Sequence, residues 1–335
     1  MNYYPPLVYT VPAEEDGWLL RTILQHRLNV SRKLLSRLKL TELGITVNGE
    51  RRYITVHVRA GDVVAIRMEE EESLDILPQP MPLCVIHEDD QLMIINKDPG
   101  RIVHPTHGHY IDTVANGVVH IWRERGVRHR FRPVHRLDQD TSGVLAIAKT
   151  PYAHQAISEQ MQDGGVLKVY RAVVYGQLRD DQGTVNAPIA RDPENPHVRI
   201  VAPTGYPSIT HYETVERFAD ATLVELRLET GRTHQIRVHM KHIGHPLIGD
   251  RLYGPDAGNT AQVAAGNTAP EAGSMAPEAA AGAACMGRQA LHAYRLGFKH
   301  PGTRVWTEFT ADMPDDLRLL ISQLRERSHE GRSEF

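Results

Sequence analysis

After residue 83 the strand-like segments of this chain outnumber the helical ones, and the two kinds do not alternate. LCVIHEDDQLMIINKDPG reads as two strands around an acidic turn. GVLAIAKT, KVYRAVVYGQL, TLVELRLETG and RVWTEFTADMP have the β-branched, apolar make-up of further strands. Helical spacing is confined to three places: PYAHQAISEQMQDGG, closed by glycines; RTHQIRVHMKHIG, which must stop near Gly244 before His-Pro; and DDLRLLISQLRER. A doubly wound sheet needs helices between successive strands. This order therefore predicts an α+β domain on a mixed or antiparallel sheet.

Residues 16–68 read as a smaller α+β module. Trp18, Leu19, Ile23, Leu24 and Leu28 recur at helical spacing. Ser31 is placed to cap a second helix, RKLLSRLKL, in which Arg32, Lys33, Arg37 and Lys39 stand beside Leu34, Leu35 and Leu38. Asn48-Gly49 in GITVNGERR is a hairpin signal, and VRAGDVVAIRM supplies another strand. Residues 1–15 are expected to form an N-terminal extension, and 69–82, EEEESLDILPQPMP, a linker with little to bury. The main domain takes 83–325, and 326–335 are expected to fray. Within it, 255–287 repeats AGNTA and APEA among small residues that cannot offset ordering entropy, so a disordered low-complexity insertion is expected.

Lys and Arg number 38 against 41 Asp and Glu, a net charge of −3, which argues against a globally basic nucleic-acid binder. The distribution is uneven. WRERGVRHRFRPVHR at 122–136 includes Arg130, Arg132 and Arg136 among its arginines, while EEDG and MEEEES are acidic. A basic run is either a solvated loop or the contact for an anionic partner. No apolar stretch approaches the ~20 residues of a spanning helix, and the N-terminus lacks the basic start and apolar core of a secretory signal. Two cysteines, Cys84 and Cys285, argue against a disulfide framework or a cysteine zinc site and for a reducing cytoplasm. A monomer is the default.

HRLDQDTSG, residues 135–143, packs a histidine, an arginine, two aspartates and two hydroxyls directly ahead of an apolar strand. An aspartate held beside an arginine stays ionised, and an ionised carboxylate can serve as nucleophile, base or metal ligand. Thr141, Ser142 and Gly143 suit a tight turn. Arg136 and Asp138, two apart, would share one face of a strand. Taken alone the motif fits an Asp-turn without chemistry somewhat better than a catalytic site.

The longer stretch HRLDQDTSGVLAIAKT resembles the signature of the RluA-type pseudouridine synthases. INKDPGRIVHP, KVYRAVVYG, LETGRTHQIRVHMKHIGHPLIGDRLYG and RQALHAYRLGF agree in order, so the resemblance spans nearly all of 83–310. The helix pair, ITVNG and AGDVV of 16–68 resemble the S-four-type RNA-binding domain, which often precedes such a catalytic domain. KDPG departs from the family where many members have proline directly after the lysine, and the alanine-rich insertion is a second departure.

The resemblance implies an RNA-uridine isomerase that breaks the sugar–base bond, rotates the uracil and rejoins it through carbon, with no cofactor and no metal. Asp138 matches the essential aspartate, as nucleophile or base. Arg237 matches the arginine that pairs with it, and Tyr170 a tyrosine that packs on the flipped uracil and helps move its proton. Arg136 matches the residue that fills the gap left by base extrusion, which itself costs a few kcal/mol. His135 and Thr141 are expected to shape the pocket, Lys97 and His104 to line the cleft, and Arg130, Arg132, Arg32 and Lys33 to contact RNA. His104, His107 and His109, with His239, His242 and His245, are read as structural or RNA-backbone contacts ahead of metal ligands, because no HExxH spacing appears. Ribosomal RNA of the large subunit is the expected target, ahead of transfer RNA. A non-catalytic RNA-binding or ribosome-assembly factor is the alternative.

Overall fold

The computed structural model describes residues 2–255 and 286–330. The N-terminal part contains β1 (Leu7–Thr10), α1 (Leu20–His26), α2 (Arg32–Leu38), β2 (Ile45–Val47), β3 (Glu50–Arg51) and β4 (Val63–Ile66). Its strands form one antiparallel sheet in the order β1-β4-β2-β3. Asn48 and Gly49 both take positive φ, 52° and 83°, as the tight turn between β2 and β3 requires. The Ser31 hydroxyl accepts the Leu34 N–H at 3.2 Å and starts α2. Leu7–Thr10 pair along β4. The segment read as an extension is thus an edge strand, because its alternating side chains find the same core. That core also takes in Tyr152 from the next part of the chain.

The larger part runs β5 (Cys84–Glu88), β6 (Leu92–Lys97), α3 (Val114–Glu124), β7 (Arg132–Pro133), β8 (Ser142–Ala148), α4 (Pro151–Gln162) and β9 (Leu167–Tyr175). It continues with β10 (Gln182–Asn186), β11 (Ile189–Arg191), β12 (Arg199–Val201), β13 (Ile209–Arg217), β14 (Ala221–Leu228) and α5 (Gln235–His242). β15 (Leu291–Lys299), β16 (Trp306–Thr310) and α6 (Asp315–Glu330) complete it. The main sheet has the order β10-β13-β14-β9-β15-β8-β6-β5, with β16 on β15 and β7 on β8. Among the described strands only β8 and β15 pair in parallel. This is the mixed-sheet α+β fold that the sequence predicts.

Side chains that alternate along the strands feed opposite layers. Met93 and Ile95 of β6 pack with Val118, Val119 and Trp122 of α3, while Leu92 and Ile94 pack with Ala153 and Ile157 of α4. On β9, Ala172 and Val174 meet Ile236 and Met240 of α5, and Val173 meets Leu317 and Leu320 of α6. β8 is buried at all seven positions, which makes it a rigid mount for whatever precedes it.

Several boundaries differ from the sequence reading. Residues 69–82 are anchored at points along their length: Ser73 and Ile76 are buried while Leu74 and Leu77 are exposed, Glu69 bridges Tyr3, and Gln79 bonds Asp112 through both its amide atoms. A few apolar and hydroxyl groups suffice when a core is already there to receive them. α3 was not foreseen, although Thr113 and Asn116 form a capping box at its start. Residues 326–330 continue α6, and the Ser328 hydroxyl accepts the Ala219 N–H at 3.0 Å, so they do not fray. Most of the 255–287 insertion, like 331–335, lies outside the described residues. At its far end Met286 is buried in the core beneath α6. No described helix is long and apolar enough to cross a membrane.

Candidate active site

The polar stretch ahead of β8 becomes a turn beside an open pocket of about 600 Å³. His135, Arg136, Asp138 and Thr141 line it, with Lys168 and Tyr170 from β9 and His234 and Arg237 from the start of α5. Thr141 N–H donates to the Asp138 carbonyl at 3.1 Å and closes the turn. Three neighbours grip it from behind. Lys97 donates to the Gln139 carbonyl at 2.8 Å, Arg288 to the Asp140 carbonyl at 2.9 Å, and Gln289 to the Thr141 hydroxyl at 3.3 Å. Arg288 is itself forked onto Asp316 at 2.7 and 2.9 Å. Where the turn enters β8, Gly143 has φ 115° and lies against β15: a Cβ there would sit 2.2 Å from the Ala293 carbonyl oxygen.

Arg136 and Asp138 both line the pocket, but not from a strand: residues 136–138 have no ladder pairing. Leu137 between them is buried, while Arg136 is exposed and Asp138 partly so. The alternation that the spacing implied survives to that extent.

Arg237 is buried, with its side chain only 6% exposed. Its guanidinium forks onto Asp250, Nε to Oδ2 at 2.6 Å and Nη2 to Oδ1 at 2.7 Å. The remaining Nη1 faces Asp138 Oδ2 at 3.4 Å. Burial works against the guanidinium charge, but Asp250 and Asp138 outweigh it and hold its pKa above the ordinary arginine value. Asp250 also accepts the N–H groups of Leu252 and Tyr253 at 2.9 and 3.1 Å. A fully satisfied carboxylate therefore fixes the arginine, and the arginine presents one edge to Asp138.

Tyr170 packs against both the α3 and α5 clusters. Burial, aided by the Asp138 charge, pushes its hydroxyl well above the usual tyrosine range, so it stays a neutral phenol. His135 Nε2–H donates to the Val144 carbonyl at 3.2 Å, and burial lowers the ring to about 4, leaving it neutral. Thr141 is buried within the turn.

The remaining predicted residues lie elsewhere. Lys97 does not line the pocket: its side chain is 1% exposed, and its ammonium donates to the carbonyls of Asp98, Arg101 and Gln139, each at 2.8 Å. Burial lowers its pKa to about 7. Its long stem is absorbed by the core while the head ties two loops together. His104 is exposed and tilts against Phe131, outside the pocket lining. Arg132 is nearly buried on Glu71 at 2.6 Å, with Arg130 at 3.9 Å and Arg37 of α2 on the same carboxylate. Burial would raise the Glu71 carboxyl, but Arg37 and Arg132 outweigh that and lower it. The arginine run is thus partly used to dock the two parts of the chain. Arg32 and Lys33 are exposed at the start of α2. His239 bonds Thr210 and Ala187, and His245 the Tyr175 carbonyl, so the three-residue histidine spacing does not converge.

Sequence reasoning missed Asp250, Tyr253 and His234. Asp250 sits in the quoted GHPLIGDRLYG stretch, a lone acid among residues that become buried. That isolation was the available signal.

The fold and the sequence have counterparts among known proteins. Residues 91–242 match the RNA pseudouridylate synthase family. The uncharacterized RNA pseudouridine synthase YlyB of Bacillus subtilis (strain 168) is 41% identical over 284 residues, 84% of this chain and 86% of that protein. The ribosomal large subunit pseudouridine synthase D of Xylella fastidiosa is 40% identical over 276 residues, 81% of this chain and 78% of that one. A solved human structure, RNA Pseudouridylate Synthase Domain Containing 4, shares the fold with a TM-score of 0.56 at 21% identity, over 72% of this chain and 93% of that chain. The chain belongs to the RNA pseudouridylate synthase family, in its RluA-type branch. It is accordingly an isomerase that acts on RNA.

Proposed function

We propose that Asp138 carries the isomerisation, acting on the ribose–uracil unit of a uridine swung out of its RNA stack into this pocket. The observation that carries the reading is the Asp138 carboxylate at the pocket, 3.4 Å from a guanidinium that Asp250 holds rigidly. As nucleophile or as base it acts in its carboxylate form, and the guanidinium beside it supplies the opposite charge for that form to pair with. Tyr170, neutral because of its burial, is suited to pack on the uracil face; stacking of this kind contributes ~1–3 kcal/mol. Because burial keeps it protonated, no phenolate is available to take up a proton, so packing is the role assigned to it here. Arg136, exposed at the rim, fills the gap that the extruded base leaves.

The target is a uridine in large-subunit ribosomal RNA. The relatives whose names state that target support this, as do the exposed Arg32 and Lys33 on an N-terminal module of S-four type. The enzyme works as a monomer in the cytoplasm, needing no cofactor. Asp138→Asn keeps shape and removes charge. Tritium release from carbon-5-labelled uridine RNA should fall by a factor on the order of 10³ or more, while RNA binding by filter retention persists. Near-normal release would remove Asp138 from the chemistry. Carbodiimide mapping of ribosomal RNA from cells with and without the protein tests the target: a missing modification in transfer RNA alone would refute it.

A further inference from the structure

His234 lines the pocket and is accounted for by neither the turn nor the Asp138–Arg237–Asp250 chain. It takes a left-handed backbone, φ 58° and ψ 18°, uncommon for any residue other than glycine, though asparagine, aspartate and histidine enter it more often than the rest. Tyr253 fixes its ring. The Tyr253 oxygen accepts the Arg199 N–H at 2.8 Å, and His234 Nδ1, 2.9 Å away, is the one described acceptor within reach of its own proton, which assigns that proton to Nδ1. The two rings meet edge to face at 5.6 Å. With Nδ1 accepting, a neutral imidazole must carry its proton on Nε2. Burial keeps the ring neutral by lowering its pKa, against the pull of Asp138. Nε2 lies 4.0 Å from Asp138 Oδ2, too far for a hydrogen bond, and no described residue accepts from it. A side chain has thus been locked in an unusual backbone and a set tautomer to leave one N–H free beside the carboxylate.

We infer that His234 Nε2–H donates a hydrogen bond to a carbonyl oxygen of the extruded uracil, an inference that rests on the site reading above. When the C1′–N1 bond breaks, its electron pair stays on the base and spreads onto O2 and O4. C5 then bonds C1′, the C5 proton is lost to solvent, and N1 takes a proton from water. A negatively charged base in a pocket shielded from water is destabilised unless a donor meets it. His234 meets it without giving up its proton, and holds the ring while it turns.

Two measurements on the full chain test this. In 15N-histidine NMR, with the signal assigned by its loss in His234→Asn, the ring should be the neutral Nε2–H tautomer; an Nδ1–H tautomer overturns the proposal. Asparagine tolerates the left-handed backbone but is too short to reach the base. In His234→Asn, kcat for tritium release should fall about 10²-fold, as for loss of one oxyanion-type donor. KM for RNA should stay within about threefold, with the melting temperature unchanged. A kcat within about twofold of the parent overturns it, as does a loss confined to KM. Should that variant not fold, Tyr253→Phe frees the tautomer and should lower kcat about tenfold; an unchanged kcat there overturns the proposal equally. Asp138→Asn run in parallel separates the two readings. If it stays active, the site reading itself fails; if it is dead while His234→Asn is normal, only the His234 role falls.

Discussion

At the scale of single residues, the site is a relay of charges in which each member is held by the next. Asp250 is fully buried and makes four hydrogen bonds, two to Arg237 and two to backbone N–H groups. Removing one partner of a buried pair leaves an uncompensated charge, which costs more than the pair contributes. Asp250→Ala should therefore cost about 3–5 kcal/mol in urea denaturation. It should also lower tritium release, because the guanidinium loses its fixed position. A stability loss below about 1 kcal/mol would show that Arg237 is held by its surroundings without Asp250.

At the scale of elements, the pocket depends on how closely β8 approaches β15. Gly143 allows the parallel contact, and the turn before it is gripped by Lys97, Arg288 and Gln289. Gly143→Ala adds a methyl against a backbone carbonyl at a positive φ. It should destabilise the fold by about 1–3 kcal/mol from backbone strain, with overpacking in addition, read by chemical denaturation. It should also displace Asp138, so activity should fall even in conditions where the variant stays folded. Full activity in a folded variant would mean that the turn adapts independently of the strand crossing.

At the scale of the whole molecule, neutral buried histidines make stability depend on pH. His129 and His135 are both lowered from 6.5 to about 4, chiefly by burial, and burial lowers His239 and His292 as well. A depressed histidine binds its proton more readily in the unfolded chain. Its contribution is therefore intact above pH 6.5 and is lost as pH falls toward about 4. Melting temperature should drop on the order of 5 °C or more between pH 7 and pH 5. A flat profile across that window would mean that these rings are charged in the folded protein. The two parts of the chain share this fate, since His129 stacks on Tyr4 of the N-terminal part at 5.5 Å. Glu71 adds arginines from both parts to the same junction.

The α+β class, the Ser31 cap, the Asn48-Gly49 turn and the clustering of Asp138, Tyr170 and Arg237 were legible in the sequence. Caps, turns and strand alternation are local, and the long HRLD and GRTHQIR blocks carry their own signature. What the sequence did not disclose are pairings across distance. Asp250 holding Arg237, Tyr253 bonded to the ring of His234, Lys97 turned inward to three carbonyls, and Glu71 claiming Arg132 are examples. A charged residue looks the same in sequence whether it meets solvent, substrate or a partner thirteen or sixty-one residues away. Only the closed packing removes water from its surroundings, and that desolvation decides which partner it must take.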